Sequence, residues 1–510
     1  MTVAQQEIAQ YPYDRSGVIR GEDGIARYQH LPTSLPMVLR DRADRHPDAE
    51  AVVAMGGARL SYRQLFDGAA RVAGGLRDLG VEPGDRVAIL LPAGTDWVLG
   101  FFGAILCGAI AVPVNTRLTD HEIGFVLADT GVRHTLRPGS PLPDGEPHVA
   151  EPPGHRDPAA IFYTSGTTGK PKGAVVTHEG LLTNAENAVR TFRLDRTLQP
   201  AELRTLISVP LFHVTGCNSQ LIVALYTGGT AVILPALDVG AALGAVATER
   251  INLMITVPAV FALMIRHPEF GTTDVSSVRW IGYGGAPTPP GQIRRIREGF
   301  PTAQLFHGFG STETSSLTSV LPDEDAEVHA DSVGYPVPVA DVGLADEDKA
   351  SGVGELLVRS PTVTPGYWNR PDATAETIRD GWLHTGDLAR LSGGRIYLMD
   401  RVHDVINRGG EKVFCVEVEN ILADLPGVVE TALVPVPDDV MGEKVGAVVV
   451  RSPEADLDGG SIRDHLRPLV AEYKIPQYVV VRTEPLPRNA GGKVRRAELR
   501  SSVDWPPPLR

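Results

Sequence analysis

The sequence contains little cysteine and no excess of basic residues. Its 510 residues include three cysteines, which are far apart and fit no metal-ligand spacing: Cys107, Cys217 and Cys415. Such sparse use suggests a reducing compartment, so we expect a cytoplasmic protein. Acidic residues outnumber basic ones, 62 to 48, which gives a net charge of −14. That balance argues against broad binding to nucleic acid or to anionic membranes.

Long apolar runs and export signals are also scarce. One uncharged run covers residues 97–114, but it holds three glycines and ends near Pro113. We therefore predict a buried helix followed by a strand here, and no membrane span. The N-terminus lacks a positively charged region followed by an apolar core, so we predict no signal peptide.

The length and the patterning predict at least two domains. A chain of 510 residues is too long for one compact core. Helical periods alternate with short β-branched runs through the first 400 residues, as in the helix-like 62–79 and the strand-like 86–91, which is typical of layered α/β structure. Beyond Asp400 we predict a small α+β domain, with strands at 412–418, 445–451 and 477–481 and helices at 418–425 and 461–469.

Residues 163–173 carry the first chemical motif, Tyr-Thr-Ser-Gly-Thr-Thr-Gly-Lys-Pro-Lys-Gly. Glycines let backbone N–H groups turn toward an anion, hydroxyls donate hydrogen bonds and lysines supply charge, so the segment suits a polyphosphate. It is not the P-loop of nucleotide hydrolases, because Gly166 and Lys170 are too close together. Taken alone, the composition also fits a flexible surface loop.

This segment closely resembles the phosphate loop of the superfamily that contains acyl-CoA synthetases, luciferases and peptide-synthetase adenylation domains. Further motifs follow in the family's order between about Leu39 and Leu499. The resemblance implies an α/β fold with a large N-terminal domain of layered α/β subdomains, residues 1–400. A small, mobile C-terminal α+β domain, residues 401–510, would act as a lid with a catalytic lysine.

The resemblance also implies the residues that bind the nucleotide and the thiol. They are Thr164, Ser165, Gly166, Thr167, Thr168, Lys170 and Lys172 in the phosphate loop; Gly284, Gly285, Ala286 and Pro287 near the adenine; His307, Gly308, Phe309 and Gly310 in a second turn; Asp387 at the ribose; Arg401 at the ribose or a phosphate; and Gly409 and Gly410 along the thiol's path. Phe309 would stack on the adenine, where many relatives have tyrosine.

Four residues take chemical roles by the same resemblance. Thr312 would contact the α-phosphate and Glu313 would hold Mg²⁺, which needs few protein ligands beside phosphate oxygens. Lys493 would reach the acid and the α-phosphate, and His213 would stand between the acid and the thiol. A hinge falls at His403, where the family usually has aspartate or lysine.

Other family motifs are assigned to the fold rather than to chemistry, namely Gly354-Glu-Leu-Leu and Gly366-Tyr-Trp. The acid pocket would draw on residues 210–221, 280–285 and 309–317. Its candidate walls include no arginine or lysine to pair a second carboxylate, so an apolar monoacid, fatty or aryl, is favoured. These walls are Val214, Thr215, Cys217, Tyr283 and Ser315.

The predicted activity is ATP- and Mg²⁺-dependent activation of a carboxylic acid as its acyl-AMP, followed by thioester formation with CoA. One alternative keeps the adenylation but changes the acceptor or the acid, to a carrier-protein thiol, an amine or nitrite. A second alternative is a nucleotide-binding regulator without turnover. The combination of Lys170, Glu313, Asp387 and Lys493 argues against the regulator, because a sensor would not need the mobile lysine.

Overall fold

The computed structural model describes residues 11–164, 171–194, 198–285, 288, 290–349, 351–401, 405–408, 411–438, 441–488 and 494–508. Its strands are β1 (Val18–Arg20), β2 (Ala26–Tyr28), β3 (Glu50–Ala54), β4 (Arg59–Ser61), β5 (Arg86–Ile89), β6 (Ile110–Pro113), β7 (His134–Leu136), β8 (Pro158–Thr164), β9 (Lys172–Thr177), β10 (Arg204–Ile207), β11 (Thr230–Ile233), β12 (Leu253–Thr256), β13 (Trp280–Gly284), β14 (Gln304–Phe309), β15 (Ser319–Leu321), β16 (Tyr335–Pro336), β17 (Asp341–Asp348), β18 (Val353–Arg359), β19 (Ile378–Arg379), β20 (Trp382–Ser392), β21 (Arg395–Arg401), β22 (Ile406–Arg408), β23 (Glu411–Val413), β24 (Val428–Asp438), β25 (Gly442–Arg451) and β26 (Tyr478–Arg482).

Its helices are α1 (Leu35–Arg45), α2 (Tyr62–Asp78), α3 (Thr95–Leu106), α4 (Asp120–Thr130), α5 (His178–Thr191), α6 (Val214–Gly216), α7 (Ile222–Thr227), α8 (Val239–Thr248), α9 (Pro258–Arg266), α10 (Pro290–Gly299), α11 (Pro371–Thr377), α12 (Cys415–Ala423), α13 (Gly459–Leu466) and α14 (Arg496–Ser502). Local signals set several of their ends. Helix α2 begins at a capping box between Ser61 and Gln64, and α4 begins at one between Thr119 and Glu122; each satisfies backbone donors that a helix start leaves unpaired.

Two large sheets form the bulk of the molecule. One has nine strands in the order β16-β15-β14-β13-β12-β10-β11-β3-β4, and the other has five in the order β7-β5-β6-β8-β9. A large apolar core joins the facing sides of these sheets and takes in side chains from helices α1, α2, α3, α5 and α7. Helices α8, α9 and α10 cover the other face of the nine-stranded sheet. The layered α/β prediction is therefore confirmed.

Two further sheets follow, each of five strands. Strands β17 to β21 build a sheet in the order β17-β18-β20-β19, with β21 on β20. The last sheet contains β22 to β26 and packs against α12 and α13 on one face and α14 on the other. A large N-terminal part and a smaller C-terminal part are thus present, as predicted.

The strand predicted over 412–418 is wrong beyond Val413. Helix α12 begins at Cys415, because Cys415, Val418 and Leu422 recur at helical spacing and are all buried in the C-terminal core. Strand β24 is the longest strand of this sheet and pairs antiparallel with β25. It was not predicted.

The uncharged run over 97–114 folds as expected, into helix α3 and strand β6. Trp97, Phe101 and Phe102 on α3 are fully buried in the large core. Among the residues that the structure describes, no helix is both long enough and apolar enough to cross a membrane.

Candidate active site

An antiparallel hairpin carries the two ends of the predicted phosphate loop. Strands β8 and β9 pair so that Thr164 lies opposite Lys172, and the Thr164 hydroxyl donates a 3.4 Å hydrogen bond to the Lys172 carbonyl. The remaining predicted loop ligands, at positions 165–168 and 170, lie outside the described residues. The hairpin therefore fixes the two points between which that loop must run.

A single 3₁₀ turn, Thr312–Thr314, holds the predicted phosphate and metal residues. The Ser311 N–H donates to the Thr314 hydroxyl at 3.0 Å, which caps the turn. The turn packs against both strands of the hairpin. Thr312 and Glu313 are thereby placed beside the base of the phosphate loop.

The backbone on either side of this turn is tightly constrained. Ser315 and Ser316 have φ of 55° and 124°, a region that residues with side chains rarely adopt. A β-carbon at Gly310 would lie 1.4 Å from the Ser316 carbonyl oxygen, so this position requires glycine. Strain of this kind concentrates at functional sites.

Tyr367 connects the turn with the hairpin. Its hydroxyl donates a 2.8 Å hydrogen bond to Oε1 of Glu313, and its ring lies 5.2 Å from the Nζ of Lys172. Burial and the neighbouring Glu313 carboxylate raise the pKa of the Tyr367 phenol, so the hydroxyl remains a donor at neutral pH. The sequence analysis assigned Gly366-Tyr-Trp to the fold and missed this contact, because one sequence does not show which distant residue Tyr367 meets.

Strands β13 and β14 approach closely at paired glycines. Gly284 lies opposite Gly308 in a parallel register, and a β-carbon at Gly284 would lie 2.2 Å from the Gly308 carbonyl oxygen. Gly285 continues the chain with φ of 75°. The predicted adenine neighbours Ala286 and Pro287 lie outside the described residues. Because glycine has no side chain, the backbone at the carboxyl ends of these two strands is accessible to a ligand. Ligands of α/β sheets bind at such strand ends.

His307 is buried next to these glycines. Its ring stacks on Tyr283 with centroids 5.1 Å apart and planes 7° apart, and its Nδ1 lies 3.3 Å from the Ser332 carbonyl oxygen. Burial lowers the pKa of His307 to about 4, so the imidazole is neutral at physiological pH and supports the strand rather than supplying charge. Phe309, two residues on, is half-buried against the core of the β17–β21 sheet.

His213 immediately precedes helix α6, and its ring is 4.9 Å from that of Phe212. The helix continues as a π-helical segment, Cys217–Leu221, before α7. Single π-helical turns inside helices are frequent at functional sites. Of the predicted acid-pocket walls, Cys217 and Tyr283 are buried in apolar cores, and the Ser315 hydroxyl donates to the Thr362 carbonyl at 2.7 Å.

A buried polar seam joins this helix to the segment after the Thr312–Thr314 turn. The Asn218 amide donates to the Ser315 carbonyl at 3.0 Å, and the Ser219 and Ser316 hydroxyls are 2.7 Å apart. Asn184 on α5 bridges both sides by donating to the Asn218 carbonyl at 3.1 Å and accepting from the backbone N–H of Leu317 at 3.0 Å. Hydrogen bonds therefore join the predicted acid pocket to the segment that follows the predicted phosphate turn. We call this set, Asn184, Asn218, Ser219, Ser315 and Ser316, the polar seam.

The predicted ribose residues lie across from each other on the β17–β21 sheet. Asp387 on β20 pairs with Arg401 on β21. Two hydrogen bonds hold the backbone at Asp387. The Asp387 N–H donates to the Thr385 hydroxyl at 3.1 Å, and the Gly386 N–H donates to the Glu355 carboxylate at 3.1 Å. Glu355, which the sequence assigned to a structural strand, thus helps to shape the turn that presents Asp387.

Several predicted residues lie outside the part of the chain that the structure describes. They are His403, Gly409, Gly410 and Lys493. The described strand β21 ends at Arg401, and β22 begins at Ile406 in a different sheet. The predicted hinge therefore falls between two sheets.

Comparison with known proteins gives two family matches. Residues 39–368 match the profile of the AMP-binding enzyme family, and residues 417–493 match that of the AMP-binding enzyme C-terminal domain. A feruloyl-CoA synthase from Amycolatopsis sp. is 39% identical, over 90% of this chain and 97% of the relative. The long-chain-fatty-acid–CoA ligase FadD13 from Mycobacterium tuberculosis is 33% identical, over 91% of this chain and 97% of the relative.

Solved structures give the same likeness. The o-succinylbenzoate CoA synthetase MenE from Bacillus subtilis, in complex with the acyl-adenylate intermediate OSB-AMP, is 29% identical with a TM-score of 0.82, over 93% of this chain and all of that one. The same enzyme in complex with ATP and magnesium ion has a TM-score of 0.80 at 29% identity, over 91% of this chain and 98% of that one. Fold and domain order are shared along nearly the whole chain.

Proposed function

Because this chain belongs to the AMP-binding enzyme family, we propose that it is an AMP-forming acid–thiol ligase that converts a carboxylic acid, ATP and CoA into an acyl-CoA. The observation that carries the proposal is the convergence of Thr312, Glu313 and Lys172 at the β8–β9 hairpin. The turn that carries Thr312 and Glu313 packs against the hairpin, and Tyr367 contacts both Glu313 and Lys172. That combination suits a magnesium–polyphosphate complex.

In the first half-reaction, a carboxylate oxygen of the acid attacks the α-phosphorus of ATP, and pyrophosphate leaves. Thr312 and Lys493 stabilise the charge that develops on the α-phosphate, since preorganised donors act most strongly where charge forms. Asp387 accepts hydrogen bonds from the ribose hydroxyls, and Phe309 stacks on the adenine. In the second half-reaction, the CoA thiolate attacks the acyl carbon, the acyl–oxygen bond breaks and AMP leaves.

Glu313 fits the role of the magnesium ligand. Among the described residues there is no group of three or more His, Cys, Asp or Glu side chains that could hold a metal ion. A single carboxylate suits Mg²⁺, which keeps several waters and binds substrate phosphates instead of an all-protein cage. When bound, the ion neutralises charge on the ATP phosphates.

His213 is proposed to stand between the acid and the incoming thiol. It is half-buried at the start of α6, and the polar seam ties the following π-helical segment to the phosphate turn. The predicted walls beside it carry no cationic side chain. An acid with one carboxylate and an apolar body, aryl or fatty, therefore fits best.

We place the boundary between the two domains at residue 400, with residues 401–510 as the mobile lid, supported by the change of sheet between β21 and β22. Gly409 and Gly410 would line the thiol's path once the lid rotates. A cytoplasmic location is supported by three cysteines that are buried and free of disulfides.

The test is a panel of fatty, aryl and dicarboxylic acids and nitrite with Mg·ATP, with pyrophosphate release as the readout. Mass spectrometry of the products follows, with CoA, without an acceptor and with a carrier protein. We expect acid-dependent pyrophosphate release for monoacids and an acyl-CoA product. Nucleotide binding without pyrophosphate release across the whole panel would favour a regulator. Release with nitrite alone, or transfer only to the carrier, would favour the alternatives with another acid or acceptor.

A further inference from the structure

Tyr367 contacts two residues that carry opposite charges in the proposed mechanism, Glu313 and Lys172. Its phenol donates to Oε1 of Glu313 at 2.8 Å, and the Nζ of Lys172 lies 5.2 Å from the centroid of its ring. Glu313 lies 54 positions from Tyr367 in the sequence, and Lys172 belongs to a third segment. Only the fold brings the three together.

We propose that Tyr367 is a positioning residue of the metal and phosphate site. Its hydroxyl fixes the orientation of the Glu313 carboxylate toward the magnesium ion, and its ring holds Lys172 at a set distance from that carboxylate. The inference rests on the proposed function, since it takes Glu313 as the metal ligand.

The chemistry of the ion makes such orientation valuable. Mg²⁺ demands near-ideal octahedral geometry, so a carboxylate that rotates freely binds it poorly. A donor on Oε1 restricts that rotation and leaves the lone pairs of Oε2 for the ion. Residues that orient a metal ligand in this way typically change metal affinity by about 10- to 100-fold.

The ring contact has a separate effect. A lysine ammonium over an aromatic face is held by the electron-rich ring, and Lys172 would otherwise sample many rotamers at an entropic cost on binding phosphate. Tyr367 therefore carries two separable functions, one in its hydroxyl and one in its ring. Two substitutions at the same position can distinguish them.

The backbone of Tyr367 is held firmly enough for this purpose. On one side, the Gly366 carbonyl accepts from the Val175 N–H at 3.1 Å, and on the other the Trp368 N–H donates to the Gly173 carbonyl at 2.7 Å. Both partners lie on β9, the strand that begins with Lys172. The phenol is thus anchored to the hairpin that carries the phosphate loop.

The test measures Mn²⁺ binding to the enzyme–ATP complex by electron paramagnetic resonance, and ATP binding without metal by calorimetry. We expect Tyr367→Phe to weaken Mn²⁺ binding at least about fivefold while metal-free ATP affinity stays within twofold. Tyr367→Leu, which also removes the ring, should weaken both. In a Glu313→Gln background, Tyr367→Phe should cause no further loss of metal affinity.

The matched control is Tyr226→Phe, because the Tyr226 phenol also donates to a carboxylate, Oε2 of Glu186 at 2.9 Å, and these two residues lie on α7 and α5 rather than on the hairpin or the phosphate turn. It should leave both affinities unchanged. The inference is overturned if Tyr367→Phe binds Mn²⁺ within twofold of wild type, if it weakens metal-free ATP binding equally, or if its effect adds fully to that of Glu313→Gln. A wild-type protein that binds the metal–nucleotide but releases no pyrophosphate with any acid would instead contradict the proposed function.

Discussion

At the scale of single residues, the site combines groups that bind substrate with groups that only hold the backbone in place. His307 belongs to the second kind. The resemblance counts it among the nucleotide-binding residues, yet its ring is buried between Tyr283 and the Ser332 carbonyl. A neutral, buried imidazole stabilises the paired glycine strands and leaves charge at the site to lysine and carboxylate.

This burial predicts a pH dependence of stability. The folded pKa of His307 is about 4, against about 6.5 for an unfolded histidine. Between these values the unfolded chain binds more protons, so the free energy of unfolding falls as the pH drops from 6.5 toward 4. At pH 5 this one group lowers it by about 2 kcal/mol relative to pH 7. His307→Asn, whose amide can replace the Nδ1 donor, should flatten that slope in denaturant titrations.

The control for this prediction removes no ionisable group. Thr227→Val, at the end of α7, should leave the dependence of unfolding free energy on pH as it is in the wild type. His178 is also buried, with a pKa lowered to about 4 by burial, so part of the slope should persist in His307→Asn. A wild-type slope in His307→Asn would show that the buried imidazole is not the cause.

At the scale of elements, the polar seam couples the helix of the acid pocket to the phosphate turn. Asn184→Ala would remove the partner of the Asn218 carbonyl and of the Leu317 N–H in a buried place. We expect it to lower the free energy of unfolding by about 2–4 kcal/mol and to raise the KM values for acid and ATP together. Denaturant unfolding and steady-state kinetics measure the two effects.

Thr191→Val, on the same helix, is the matched control. The Thr191 hydroxyl donates to the Asn187 carbonyl one turn away in the same helix, so its loss should cost less than about 1 kcal/mol and change neither KM. If Asn184→Ala altered stability alone, with both KM values unchanged, the seam would be a packing device and not a coupling between sites.

The sequence predicts the local features of these elements better than the tertiary contacts between them. The hydrophobic periodicity predicted α2, β5 and the α3–β6 run. The glycine-rich motifs marked strand ends where a side chain would collide with neighbouring backbone, as at Gly310. Contacts such as Asn184 with Leu317, 133 positions apart, and Tyr367 with Glu313 depend on strand order. The strand order cannot be read directly from a single sequence, so Tyr367 and Glu355 were assigned to the fold.

The start of α12 was missed for a related reason. Short apolar runs fit a strand and a buried helix equally well until their burial is known. The pairing of β24 with β25 over their whole length is likewise a tertiary choice. The motifs that bind substrate were readable because their chemistry requires particular residue types, whereas the partners that hold those motifs can be of many types.

At the scale of the whole molecule, the proposed lid serves two half-reactions in two orientations. Lys493→Ala should cut acyl-adenylate formation by about 10²–10³-fold, because it removes a preorganised charge at the α-phosphate. Given pre-made acyl-adenylate and CoA, the same variant should form thioester at close to the wild-type rate. Rapid-quench assays of each half-reaction measure both.

Lys349→Ala, at an exposed turn, should change neither half-reaction. Equal losses in both half-reactions for Lys493→Ala would mean that the lysine supports the fold or serves both steps. The two-orientation mechanism would then have to be abandoned for this chain.

The central claim is that the acid passes through an acyl-adenylate, and an isotope experiment tests it most directly. An accepted acid labelled with ¹⁸O in both carboxylate oxygens is incubated with enzyme, Mg·ATP and CoA, and the nucleotide product is analysed by mass spectrometry. Because one carboxylate oxygen becomes the bridge to the α-phosphorus and leaves with it, we expect AMP carrying one ¹⁸O per thioester formed. Unlabelled AMP, or ADP with the label in inorganic phosphate, would contradict it.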